Sequence, residues 1–414
     1  MIGFVRGYYV RPAADSSLFG AGLQDASSVQ RHNATELTPV QPMTDFQPLI
    51  SDVREGLAAS LKLAGDWDRL LLSCAASVAG PSVVCSSVWA RALAETHLKD
   101  HRFRTLVLSR GGVVVGLLPL AAPTPAARFA LKRDIGPVYG AYPGRSGLLV
   151  QDGNADLVGA ILGQLVEKVP GWDVFLFRVV EGSACHAAVL DVAAQRSLRL
   201  REISTTESPY FELPEAWEEL VATLPKKTRW TIRKGETELR AHGELEYVEH
   251  TEPASTQALL DAIYAIERKS WKEDSGTSIT ARSWEQGFYD ALVPHAAAGN
   301  LLNGHVLRLS GAPIAYILGI AGPDRVFVDL KESFDASFAK YSPGHVLKRF
   351  AISSLIARGV RTYDFMGRCE SYKMRWAQQT YRSLTLVLYN RTVRGRLARW
   401  RSRLVGAKSA ANED

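Results

Sequence analysis

RTLVLSRGGVVVGLLPLA at 104–121 and GHVLRLSGAPIAYILGIA at 304–321 share one layout at an offset of 200 residues, with Gly111 over Gly311, Leu118 over Leu318 and Ala121 over Ala321. Each reads as strand, glycine-containing tight turn, strand, the pattern of a β-hairpin. The parallel continues downstream. In the first half, Tyr142-Pro143-Gly144 leads to a helix-period segment at 156–169 and an apolar strand at 172–180. In the second, Tyr341-Ser342-Pro343-Gly344 leads to a helix-period segment at 345–359 and a strand at 361–366. A duplicated α/β unit with mixed sheets accounts for both series in one assumption. A repeat this long means two similar domains, since a solenoid needs many short units.

The 414 residues exceed what a single hydrophobic core usually fills. The expected division is a polar leader (1–45), a first domain (46–212), a second domain (213–392) and a basic tail (393–414). Pro209 and Pro214 bracket the central boundary, and AWEELVATL then opens the second half as a helix. A hydrophobic content of 46% with 22% charged residues belongs to a globular chain rather than a disordered one. The net charge of +6 suits an acidic ligand or an anionic surface without specifying nucleic acid. Cys74, Cys85, Cys185 and Cys369 are scattered without metal-ligand spacing, which predicts no metal and a reducing, cytoplasmic compartment. The N-terminal apolar run is broken by Arg6 and is too short for a signal peptide. The longest uncharged run, residues 70–90, carries five serines with Gly80 and Pro81 and is not the continuous apolar stretch a membrane span needs.

Three features together, YSPG before a helix, YDFMG at 363–367 and ESYKMRWAQQ just after, carry a resemblance. The chain resembles GNAT-type acyltransferases, and within them the tandem branch that includes FemAB-like and CelD-like proteins. The resemblance spans roughly residues 50–392 and is strongest in the second half. It implies two tandem GNAT-like domains, the first degenerate and the second carrying the active site. It also implies direct transfer of an acyl group from acyl-CoA to an amine without a metal. The acceptor it suggests is an amino sugar or lipid-linked saccharide of envelope or exopolysaccharide synthesis. One departure is plain: the Gln/Arg-x-x-Gly-x-Gly/Ala pyrophosphate loop of the family is replaced by Tyr341-Ser342-Pro343-Gly344-His345. FemAB-like relatives use aminoacyl-tRNA, so a charged tRNA stays open as the donor. A membrane-associated scaffold without catalysis is the third reading.

The residues supply chemistry of their own. Gly344 permits an unusual backbone angle and close ligand approach, and a helix starting there either offers N–H groups and a positive dipole end to an anion such as a pyrophosphate or is an ordinary loop-to-helix junction. Tyr341, Ser342 and His345 frame that loop, and Lys348 adds charge from the first turn. On a strand, Asp364 and Met366 face one way, Tyr363 and Phe365 the other. A buried Asp364 is either a structural hydrogen-bond acceptor or a catalytic base with a raised pKa. A helix from Glu370 puts Glu370 and Lys373 on one face and Tyr372, Arg375 and Trp376 on another. The reading there is either an exposed Glu370–Lys373 ion pair, or Lys373 on donor or acceptor phosphates with Tyr372 as proton donor to a leaving group.

Further candidates lie elsewhere. LPKKTRWTIRKGETELR at 224–240 is a basic helix with Lys226, Arg229 and Arg233 along one face, suited to phosphates or simply solvated. Trp271 and Lys272 close another helical segment near Glu273 and Asp274, where either an amine acceptor fits or Trp271 packs into the core, and Asp329 is a second candidate acid. The tail carries Arg391, Arg394, Arg396, Arg399, Arg401, Arg403 and Lys408 among Val393, Leu397, Trp400 and Leu404. That pattern suits peripheral contact with an anionic membrane, or a docked helix.

Overall fold

The computed structural model describes residues 47–74, 80–123, 133–139 and 145–410. The polar leader and the Tyr142-Pro143-Gly144 turn lie outside the described residues, as do the side chains of Arg403, Leu404 and Lys408. Thirteen strands make up one sheet. They are β1 (Leu49–Glu55), β2 (His101–Arg110), β3 (Val113–Pro123), β4 (Asp134–Pro137), β5 (Leu149–Val150), β6 (Val174–Val180), β7 (Arg199–Glu212), β8 (Leu245–His250), β9 (Leu302–Leu309), β10 (Ala312–Ala321), β11 (Val326–Phe334), β12 (Thr362–Asp364) and β13 (Gln379–Tyr389). Their order is β1-β2-β3-β4-β6-β13-β7-β12-β11-β10-β9-β8, with β5 beside β3.

The two expected hairpins are β2–β3 and β9–β10. Each turns through two residues of positive φ, Gly111 and Gly112 in one, Ser310 and Gly311 in the other, as a two-residue hairpin turn requires. Each then skips one residue: Val115 falls between the partners of Ser109 and Leu108, Ile314 between those of Arg308 and Leu307. Turn and bulge therefore correspond at an offset of 199, Gly111 with Ser310 and Val115 with Ile314, one less than the offset at which identical residues line up. A one-residue slip exchanges the faces of a strand, so the hydrogen-bonded register sets the equivalence. After each hairpin come a helix and a strand, Ala155–Lys168 then β6, and Pro343–Ala357 then β12. Asn154 caps the first helix by accepting from the N–H groups of Asp156 and Leu157.

The halves are bound together by an exchange of strands. β13, from the end of the chain, pairs with β6 along its length. The last residues of β7, at the expected boundary, pair with β12: Tyr210↔Asp364, Phe211↔Tyr363, Glu212↔Thr362. Residues 47–414 accordingly form one compact unit. One hydrophobic cluster belongs to the first half and β13, another to the second half, and a third joins them. In that third cluster Trp89 of the helix Ser87–Glu95 meets Phe288 of the helix Ser283–Ala298 edge-on, ring centroids 5.0 Å apart.

Candidate active site

β11 and β12 run parallel only from Val326↔Thr362 to Val328↔Asp364. β12 stops there, and the chain turns away through Met366 (φ 47°) and Gly367 (φ 62°). β11 continues to Phe334, so from Asp329 onward its edge on that side is open. On its other side β11 pairs with β10, and the register slips: Gly319 faces Asp329, Leu318 faces Lys331. Leu330 is the extra residue of a β-bulge. A bulge resets the alternation of a strand, so Asp329 and Glu332, three apart, share a face they would not share in a regular strand.

Both carboxylates meet Lys348, which rises from the helix Pro343–Ala357. Its ammonium lies 3.3 Å from Asp329 Oδ2 and 2.7 Å from Glu332 Oε2. The Tyr363 hydroxyl donates to Asp329 Oδ2 at 2.7 Å. The Lys348 ammonium also sits over the rings of Phe365 (4.5 Å) and Tyr363 (5.1 Å). Lys348 is 2% exposed and Asp329 6%, so water screens little of this. Burial, reinforced by Glu332, pushes the Asp329 carboxyl up to about 6 against the pull of Lys348, Tyr363 and Lys373. Lys272 donates to the Glu332 main-chain carbonyl at 2.5 Å, and burial lowers its pKa. Lys373 donates to Met366 O at 3.1 Å and pairs with Glu370 at 3.1 Å. Tyr372 lies beside Lys373, and partial burial, then Glu332 and Glu370, raise its phenol above the ordinary value. Two carboxylates thus share the Lys348 ammonium at an open strand edge, a setting able to take up a proton and to attract a cation.

The structure therefore gathers Asp329, Lys348, Lys272, Glu370, Tyr372 and Lys373, and adds Tyr363 of β12 and Glu332, whose place beside Lys348 depends on the bulge. It separates Asp364 from them. That carboxylate is fully buried on the opposite face of β12. It accepts from Arg145 Nε at 3.0 Å, from the Tyr381 hydroxyl at 3.2 and 3.1 Å, and from the Met366 N–H at 2.8 Å. Of the two readings open for Asp364, the structural acceptor fits: it pins the turn that opens the sheet and fastens the first half, through Arg145, to the second.

The loop before the helix Pro343–Ala357 also departs from expectation. The left-handed angle falls on Ser342 (φ 53°), not on Gly344. The N–H groups of His345 and Val346 close on Ser342 O at 3.0 and 3.3 Å, which removes donors an anion would use. Lys348 is buried against carboxylates rather than presented to a phosphate. The Tyr341 hydroxyl bonds His242 Nε2 at 2.7 Å. His345 Nδ1 accepts from Trp376 Nε1 at 3.1 Å, and burial, helped by Lys348 and Arg375, lowers its pKa to about 4. The segment after Gly367 is not the helix expected from Glu370. Only Lys373–Arg375 coil, as a 3₁₀ turn, because Lys373 is drawn back to Met366 O and Trp376 is held by His345. Trp271 is 57% exposed rather than core.

The basic helix is present as Lys226–His242. Arg229 and Arg233 line a cavity of about 290 Å³ with Trp217, Val221, Ile232, Glu236 and Arg349, while Lys226 is exposed outside that lining. Among the described residues no three His, Cys, Asp or Glu side chains are grouped to hold a metal. No helix among them is long and apolar enough to cross a membrane.

Residues 226–374 match the model of the acetyltransferase (GNAT) domain family; Asp329, Lys348, Tyr363, Tyr372 and Lys373 all fall within them. No curated protein matches the sequence. Among solved structures, a crystal structure of FemX is similar over 79% of this chain and 96% of its own, at 13% identity and a TM-score of 0.58. The C-terminal domain (DUF2156) of a putative lysylphosphatidylglycerol synthetase from Agrobacterium fabrum is similar over 84% and 97%, at 11% identity and a TM-score of 0.48. A tandem GNAT protein from the clavulanic acid biosynthesis pathway is similar over 82% and 98%, at 13% identity and a TM-score of 0.43.

Proposed function

We infer that this chain, whose fold is the tandem GNAT type, is an N-acyltransferase that moves an acyl group directly from acyl-CoA to an amine at the open edge of β11. The observation that carries the reading is the parting of β11 from β12 beside Asp329, a buried carboxyl with a pKa raised to about 6. Such a group is mostly ionised at neutrality yet more basic than an ordinary carboxylate, which suits general-base work.

In this reading the amine is drawn in by the Asp329–Glu332 pair and gives up a proton toward Asp329. Its lone pair attacks the acyl carbonyl, and the main-chain N–H at the Leu330 bulge is the donor assigned to the developing oxyanion. The C–S bond breaks as the C–N bond is completed; the Tyr372 phenol protonates the departing thiolate, and the second proton shed by the newly bonded nitrogen returns to the Tyr372 oxygen. Arg229, Arg233 and Arg349 in the cavity beside Trp217 hold the donor's phosphates, in place of the helix start at Gly344. The first half contributes Arg145, which keeps Asp364 and the turn after it in place; it is a positioning residue.

The exposed basic residues Lys226, Lys227, Arg233 and Lys234 with Trp230 support a second reading, an aminoacyl-tRNA donor. Calorimetry separates the two. Saturable binding of acetyl-CoA with indifference to charged tRNA supports the first; salt-sensitive binding of charged tRNA alone replaces it with the second.

A further inference from the structure

The helix Val393–Ala410 packs on the sheet with its small residues inward. Ala398 lies against the Val174, Val387 and Tyr389 cluster. Tyr389 donates its hydroxyl to Ser402 Oγ at 2.9 Å, and Arg201 donates to Ser402 O at 2.6 Å. A Cβ on Gly395 would stand 2.3 Å from Asn390 O and 3.0 Å from Asp173 O, so only glycine lets the helix come this close. Gly395, Ala398 and Ser402 make one face at i, i+3, i+7. The opposite face carries Val393, Leu397 and Trp400 at i, i+4, i+7, and these are 73%, 53% and 59% exposed. This inverts the ordinary surface helix, which turns its large apolar residues to the core. The rotation is fixed by the glycine contact and the Ser402 bonds, so the stripe cannot be turned inward.

Arginines flank the stripe: Arg394 and Arg401 on one side, Arg396 on the other, all exposed. From 391 to 412 the sequence contains no Asp or Glu. A surface that is anionic at its face and apolar beneath it complements this pattern. Val393 and Leu397 enter the acyl boundary, Trp400 sits at the headgroup level, and the arginines reach the phosphates. Nucleic acid offers the charge without a place for the aliphatic stripe. We propose that this helix is a docking surface for an anionic phospholipid bilayer. The proposal is independent of the acyl-transfer reading.

Flotation of the full-length protein tests it, with phosphatidylcholine vesicles made with or without about one third phosphatidylglycerol. The expected result is binding to the anionic vesicles at least about tenfold tighter than to the neutral ones, weakened by salt. A Val393→Ser, Leu397→Ser, Trp400→Ser variant keeps its circular dichroism and melting temperature, since these side chains are exposed, and loses binding. An Arg394→Glu, Arg396→Glu, Arg401→Glu variant loses it as well. Equal affinity for both vesicle types overturns the proposal, as does full binding by the serine variant. So does wild-type indifference to lipid with an oligomer that the serine variant dissolves, which would make a second copy of this chain the occupant.

Discussion

Asp329→Asn removes one titration and leaves the side chain's size nearly unchanged. In the folded protein the carboxyl titrates near 6 instead of its ordinary 3.8. A shift of roughly two units is worth about 3 kcal/mol at about 1.36 kcal/mol per unit. The folded state holds a proton that the unfolded chain has already released. The contribution is therefore complete below the unfolded pKa and is lost as pH rises through the folded one, so between about pH 4 and 7 the wild type loses up to about 3 kcal/mol from this group. Urea unfolding at pH steps across that window, on wild type and variant, isolates it, because the variant lacks this part of the slope. Turnover, followed as thiol release, rises in the wild type with an apparent pKa near 6, and the variant falls by about 10²–10⁴ at the plateau. Parallel pH–stability curves for the two proteins refute the buried titration. A variant that keeps more than about a tenth of wild-type turnover refutes the base.

Arg145→Met leaves the fully buried Asp364 carboxylate without its cation and costs about 3–5 kcal/mol in chemical unfolding; adding Asp364→Asn restores part of it. A loss under about 1 kcal/mol means the pair does not fasten the two halves. Gly235→Ala, which in an ordinary helix gains stability, is destabilising here by about 1–3 kcal/mol, because the new Cβ stands 2.2 Å from Tyr341 O; a raised melting temperature contradicts this. Arg229→Ala and Arg233→Ala each raise KM for the acyl donor several-fold with kcat nearly unchanged, and an unaltered KM removes that cavity as the donor site.

Elements with a sustained period were legible in the sequence. The helices Lys226–His242 and Pro343–Ala357 and the strand β6 all lie within two residues of their expected spans. The alternation in YDFMG placed Tyr363 and Phe365 on one face and Asp364 and Met366 on the other. The structure keeps that arrangement, with Tyr363 and Phe365 at Lys348 and Asp364 at Arg145. The strand exchange was not legible. β13 reads as another apolar strand, and its pairing with β6 on one side and β7 on the other inserts it into the first half. ESYKMRW misled because a charged and aromatic run has helical spacing by default. Its conformation is set by partners distant in sequence, Met366 O for Lys373 and His345 for Trp376.

The choice between two carboxylates shows where reading a strand by parity stops working. Asp364 ends an apolar run next to a glycine and stands out, while Asp329 sits inside VFVDLKES with charged neighbours and does not. Strict alternation puts Asp329 and Glu332 on opposite faces and gives Lys348 no reason to be buried. One extra residue at Leu330 reverses that. It turns both carboxylates to the same side, and two of them are what make a buried lysine tolerable there, since an unpaired ammonium at 2% exposure would be deprotonated or expelled. The same lysine is thereby turned away from any phosphate, which in the proposed reading leaves that task to arginines on the neighbouring helix. In that reading the bulge has two effects at once, assembling the acid–base group and displacing the anion site. Restoring regular pairing at Leu330 by deleting it should abolish turnover while leaving Arg229 and Arg233 able to bind donor. Loss of both together would mean that the fold, rather than the register of one strand, had been broken.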